Sequence, residues 1–191
     1  MELWNPDSMA VWDFSAFDTI AISYYIDSPS SSPGRAEFRL QLFDVSDGGI
    51  DAYDAGATEI WYSFNYILDD TPGWNELKIT MEDVGGGATG GSNGFWRTGW
   101  AGVAGNNALD LNAIKGLGFE ISVQGPQDFA VMEGSIVFDD LRLEGGSALD
   151  LVFFNGKVIP AENTPFAWNG SLTVEQGTGA TAGTNALRWD Q

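Results

Sequence analysis

The sequence predicts an all-β chain folded as a jelly-roll β-sandwich, and three observations carry that expectation. Apolar and polar side chains alternate with a period of two along most of the chain, helical periodicity is nearly absent, and clusters of Gly, Pro, Ser, Asn and Asp cut the alternating runs at turn-like intervals. The 191 residues, 43% of them apolar and 13% aromatic, supply the surface for one core. Single sandwiches commonly run to about 200 residues, so no second domain is required.

The first clear strand runs from Thr19 to Asp27, with Ile20, Ile22, Tyr24 and Ile26 on one face and Ala21, Ser23 and Tyr25 on the other. Ser28-Pro29-Ser30-Ser31-Ser32-Pro33-Gly34 ends it as a loop by composition. A strand from Glu37 to Asp44 turns Phe38, Leu40 and Leu42 inward and Glu37, Arg39 and Gln41 outward. In the next, Glu59 to Leu68, Ile60, Tyr62, Phe64 and Tyr66 share one face, with Trp61, Ser63 and Asn65 opposite. Trp74 to Met81 follows with Leu77, Ile79 and Met81 inward, and Gly85 to Gly94 is too rich in glycine for regular structure. Leu109 to Gly116 reads as one helical turn before a strand from Leu117 to Val123, and the last long strand is Ser135 to Glu144, closed by Gly145-Gly146.

About seven strands over this stretch fit one sandwich, which gives a main body of residues 1–146. Residues 147–191 read differently. Short strands at Leu151 to Phe154, Gly170 to Glu175 and Asn185 to Asp190 carry Phe153, Leu172, Val174, Leu187 and Trp189. So short a segment cannot bury that apolar surface alone. Its strands are expected to complete a sandwich, in cis or in a neighbouring subunit.

Composition removes several functions. There is no cysteine and no histidine, which excludes disulfides, thiolate chemistry, the Ser-His-Asp triad and nearly all catalytic zinc sites. Paired carboxylates remain available for acid–base work, but no pair stands out among 27 acidic residues. A formal charge of −19 with only eight Lys and Arg makes nucleic acid a poor partner. No apolar run reaches the ~20 residues of a membrane span. Glu2, Asn5, Pro6 and Asp7 interrupt any signal peptide at Met1, so an extracellular or cell-surface location is expected with the signal removed or outside this chain.

Three segments together resemble the jelly-roll carbohydrate-binding modules, galactose-binding-like β-sandwiches found beside bacterial glycoside hydrolases. They are Trp12-Asp13-Phe14-Ser15-Ala16-Phe17-Asp18-Thr19-Ile20, the stretch Leu109-Asp110-Leu111 through Ile114-Lys115-Gly116 to Gly118-Phe119, and Ile136-Val137-Phe138-Asp139-Asp140-Leu141-Arg142-Leu143. The likeness covers residues 10 to 145. In those modules the last of these strands closes the domain, and a segment similar to Phe153 to Gln191 comes first. Here it comes last, as in a circular permutation, a cut across a tandem array, or strand complementation of a neighbour. An ordinary module with an unrelated tail is the remaining alternative.

Such modules stack aromatic rings on pyranose faces and read the hydroxyls with neighbouring polar groups. On that model the ligand-binding row is Tyr25, Arg39, Gln41, Trp61, Asn65 and Glu120, all placed by alternation opposite the core set. If a second layer covers the row instead, Tyr25 and Trp61 are core. Trp96, Arg97 and Trp100 flank the glycine loop, and Trp4, Trp12, Trp74, Trp168 and Trp189 read as structural. The resemblance implies a structural calcium at Asp139, with Asp140 beside it and only Asp150 or Asn155 to replace the second acidic contributor. Asp44, Asp47, Asp51 and Asp54 read as solvated turn aspartates, and Asn169-Gly170-Ser171 is a formal glycosylation sequon.

Two functions follow as expectations. One is a non-catalytic extracellular structural subunit that assembles by strand complementation into a fibre or array, with other copies of itself as partners. The other is a glycan-binding accessory module of a secreted glycoside hydrolase, with a polysaccharide as partner.

Overall fold

The computed structural model describes residues 1–28, 33–46, 49–85, 93–123, 134–146, 151–154, 171–176 and 185–190; from 151 onward the description is of the backbone. The chain is all-β, with two antiparallel sheets packed as a sandwich. One sheet, A, has the order β1-β8-β3-β4-β7, with β5 beside β3. Its strands are β1 (Glu2–Trp4), β3 (Ala36–Asp44), β4 (Glu59–Ser63), β5 (Tyr66–Ile67), β7 (Phe95–Gly102) and β8 (Ile114–Val123). The other, B, has the order β11-β12-β9-β2-β6, with β10 beside β9. It comprises β2 (Thr19–Ser28), β6 (Gly73–Thr80), β9 (Ser135–Glu144), β10 (Leu151–Phe154), β11 (Ser171–Gln176) and β12 (Asn185–Asp190).

The core lies between the sheets. Ile20, Ile22, Tyr24 and Ile26 of β2 and Phe138, Leu141 and Leu143 of β9 meet Phe38, Leu40 and Leu42 of β3 and Leu117 of β8. The Phe38 ring lies 5.6 Å from Phe138 across the layers and 5.9 Å from Phe119 within sheet A. Along β9 the inward residues step from Phe138 to Leu141, a break in the period of two. A bulge causes it: β2 advances from Ala21 to Ser23 while β9 advances from Arg142 back to Asp139. Asp140 absorbs the extra residue at φ 53°, in the left-handed region that aspartate tolerates better than most side chains.

The C-terminal strands lengthen sheet B on the side of β9 away from β2. β10 pairs with Leu141 to Leu143, and β12 pairs with Ser135 to Phe138, so the two share one edge end to end. β11 then pairs with β12.

Loops are tied down by buried polar groups. Lys115, fully buried, donates from Nζ to the carbonyl oxygens of Asp7, Ser8 and Ala10 at 2.7, 3.1 and 2.8 Å. Asp69 Oδ1 accepts the backbone N–H groups of Gly34, Arg35 and Ala36 at 3.0, 3.0 and 2.9 Å, which fixes the start of β3.

Two expectations about the strands change. The run from Glu59 does not reach Leu68: β4 stops at Ser63, whose hydroxyl accepts from the Leu40 N–H and donates to the Phe64 carbonyl, and β5 is a separate short strand. β7 occupies Phe95–Gly102, where Gly99 and Gly102 interrupt any regular alternation. The helical turn before β8 is a short 3-10 turn, Leu111–Ala113.

Candidate functional site

The outer face of sheet A gathers four of the residues that the sequence assigned to a ligand row. Arg39 and Gln41 lie two apart on β3, and Arg39 is the direct cross-strand partner of Glu120 on β8. Arg39 Nη2 donates to both carboxylate oxygens of Glu120 at 2.7 Å, and Gln41 Nε2 donates to Glu120 Oε2 at 3.0 Å. At the far end of the row Asn65 Nδ2 donates to Glu37 Oε2 at 2.9 Å. The guanidinium carbon of Arg39 stands 4.4 Å from the centre of the Tyr62 ring, close enough for a cation–π contact.

Trp61 is not part of this face. In antiparallel register Leu42 faces Trp61 and Gln41 faces Tyr62, and directly opposed residues point to the same side. Leu42 belongs to the core, so Trp61 does too, at 2% exposure, while Tyr62 takes the outward place. Alternation in Glu59–Ser63 could not decide this, because both of its faces carry an apolar or aromatic side chain.

A small aromatic cluster continues the outer face around the polar row. Tyr62 is paired with Trp96 of β7, and Phe43, Ile60 and Trp4 pack beside them. Gly116 and Gly118 make this possible, since a Cβ at Gly118 would stand 2.5 Å from Gln41 Oε1 and one at Gly116 2.8 Å from both Phe43 and Trp4. With no side chains on β8 there, Gln41 and Phe43 lie flat across the sheet, and Trp4 stacks on Phe43 at 4.8 Å. The row thus has a partly exposed indole on either side, Trp4 and Trp96. Glu120 has a side chain 38% exposed, and Arg39 Nε is buried with no hydrogen-bond partner among the described residues.

Tyr25 lies elsewhere, on the outer face of sheet B, where it packs against Trp74. The sequence marks Trp74 as structural, and on edge strand β6 it is 40% exposed. Its place opposite Tyr25 is set by strand order, which alternation does not encode. Arg97, near the glycine-rich segment, is occupied by Glu59: Arg97 Nε lies 2.6 Å from Glu59 Oε1, and its terminal nitrogens donate to Asn107 Oδ1 and the Val103 carbonyl.

Of the residues named for the calcium position, only Asp139 and Asp140 fall among the described residues. Asp139 is fully buried and accepts the Asp140 N–H at 2.8 Å, while Asp140 is ion-paired with Arg142 at 2.5 Å. A calcium shell needs six to eight oxygens. No group of three acidic or other metal-ligating side chains comes together among the described residues. Asp150, Asn155 and the sequon Asn169 lie outside the described residues, as does Asp47. Asp44 is not a solvated turn residue, being buried with Oδ2 accepting the Asp110 N–H. Asp54 does act in a turn, accepting the Gly56 N–H.

No family model, curated protein or solved structure matches the chain. Among the described residues no helix is long and apolar enough to cross a membrane.

Proposed function

We propose that this protein is a non-catalytic glycan-binding module that holds a polysaccharide on the outer face of sheet A. One observation carries the reading: Arg39, Gln41 and Glu120 form a joined hydrogen-bonding row with Trp4 and Trp96 flanking it. Sugars present apolar C–H faces to aromatic rings and hydroxyls to planar polar groups, and this arrangement offers both. Glu120, its side chain 38% exposed, keeps accepting capacity toward solvent. The absence of histidine and cysteine, together with the burial of Asp44 and Glu59, supports binding without turnover. The pairing of β10 and β12 with β9 of the same chain favours this reading over assembly by strand exchange.

Affinity electrophoresis through gels containing a neutral β-glucan, xylan or mannan tests the proposal. Glu120→Gln keeps the shape of the side chain and removes its charge, and retention should fall about tenfold, the equivalent of 1.4 kcal/mol, with little change in melting temperature. A wild-type protein that no neutral glycan retards would overturn the reading, as would a Glu120→Gln variant retarded like the wild type.

A further inference from the structure

The outer face of sheet B carries a second aromatic surface. Trp74 on edge strand β6 is 40% exposed, and it faces Tyr25 of β2 as its direct cross-strand partner, with the ring centroids 5.3 Å apart and the planes tilted by 49°. Buried aromatic side chains rank among the largest contributors to a core, yet this indole is left at the surface of an edge strand.

The next positions on the same face are charged in alternating sign. Glu76 lies opposite Ser23 and Lys78 opposite Ala21. Arg142 reaches from β9 across the small β2 side chains to Glu76 at 2.5 Å, and it also pairs with Asp140 and Glu144. Lys78 closes the lattice on Glu144 at 2.6 Å. Two cations and three carboxylates therefore stand beside the rings as paired donors and acceptors, without a strong field of either sign. That suits uncharged hydroxyls, whereas a polyanion meets a chain of net charge −19.

We propose that Tyr25 and Trp74 form a second carbohydrate-contacting surface for the pyranose ring of a neutral polysaccharide, with Glu76 and Arg142 beside it as hydroxyl partners. The choice of ligand rests on the glycan-binding reading of the protein. The two surfaces lie on the outer faces of different sheets, so one module can hold two polysaccharide chains at once and bridge them. Retention on a dense glucan then gains from both contacts.

The test uses the full chain and a soluble neutral β-glucan, with light scattering to follow bridging and affinity electrophoresis to follow retention. Four proteins are compared: wild type, Trp74→Ala, Glu120→Gln, and the double variant, each checked for an unchanged melting temperature. Bridging by the wild type that Trp74→Ala abolishes is the expected result, with Trp74→Phe restoring part of it. Each single variant should keep measurable retention, and the double variant should lose at least tenfold more than either. Retention unaffected by Trp74→Ala, with no bridging by the wild type, would overturn the second surface and leave the first standing. Retention lost with Trp74→Ala but indifferent to Glu120→Gln would instead remove the sheet A site and keep this one. A wild-type protein that does not bind glucan at all removes both.

Discussion

Asp44 and Glu59 are direct cross-strand partners at the end of β3 and β4, and both carboxyl groups are almost wholly buried. Each holds part of the connection between β7 and β8. Asp44 accepts the Asp110 N–H at 2.9 Å, and Glu59 accepts the N–H groups of Asn106 and Asn107 at 3.1 Å each. Arg97 is the cation paired with Glu59.

Their arrangement predicts a pH dependence of stability. Burial pushes both carboxyl groups above their usual range, each is raised further by a neighbouring acid, and the backbone N–H groups and Arg97 offset this only in part. A raised folded pKa means that the folded state keeps its proton to higher pH than the unfolded chain. The stabilisation is full below the ordinary carboxylate range and is lost as pH rises through the folded values. Glu144 acts in the opposite sense and in a lower window. Burial raises it, but hydrogen bonds from Lys78 and Arg142 outweigh this and leave it lowered, so its contribution fades only in stronger acid. Urea midpoints should therefore fall as pH rises from the ordinary carboxylate range toward neutrality, and Asp44→Asn should flatten that slope. A variant with the wild-type slope would show that Asp44 is not responsible.

Trp61 tests the register of β4. Because it faces Leu42 inside the core, Trp61→Ala should cost about 3 to 5 kcal/mol in urea unfolding, as large core truncations do. Trp61→Phe should cost much less, since the indole N–H finds no acceptor among the described residues and its removal forfeits no bond there. A Trp61→Ala protein within about 0.5 kcal/mol of wild type would place the side chain at the surface.

The same residue shows what the sequence could and could not reveal. β9 is legible at both ends, Ser135 and Glu144, and β2 within a residue, because each has one apolar face and punctuation at its limits. The phase of β4 is not legible, since Ile60 and Tyr62 would serve as a core face as well as Trp61 does. Only pairing with β3 chooses between them. Arg39, Gln41 and Glu120 are legible because β3 and the 117–123 part of β8 alternate and meet in register there. Trp96 and Trp74 were not assigned to a face, the first because glycines obscure β7 and the second because exposure at a sheet edge depends on strand order.

Asp69 should prove one of the more sensitive positions in the chain. One carboxylate oxygen receives three consecutive backbone N–H groups at the start of β3, in a site that is almost fully buried. Asp69→Ala leaves those donors without this acceptor and should cost about 3 kcal/mol or more, whereas Asp69→Asn retains a carbonyl oxygen and should cost about 1 kcal/mol. Equal losses for the two variants in chemical denaturation would mean that the charge, and not the acceptor, matters.

β10 and β12 together occupy the edge of β9 from Ser135 to Leu143, and β9 is a central strand of sheet B only because they are there. Removing them turns β9 into an edge strand with a row of unpaired N–H and C=O groups, beside the residues Phe138, Leu141 and Leu143 that build the core. Such an edge seeks another strand. A chain ending at Gly146 should therefore melt at lower temperature and associate in a concentration-dependent way, and a separate peptide of residues 147–191 should restore the monomer. The peptide arm also probes assembly, because a segment that can complete a sheet from outside its own chain can join two chains. A truncated protein that remains monomeric with the wild-type melting curve would show that β9 needs no partner on that side.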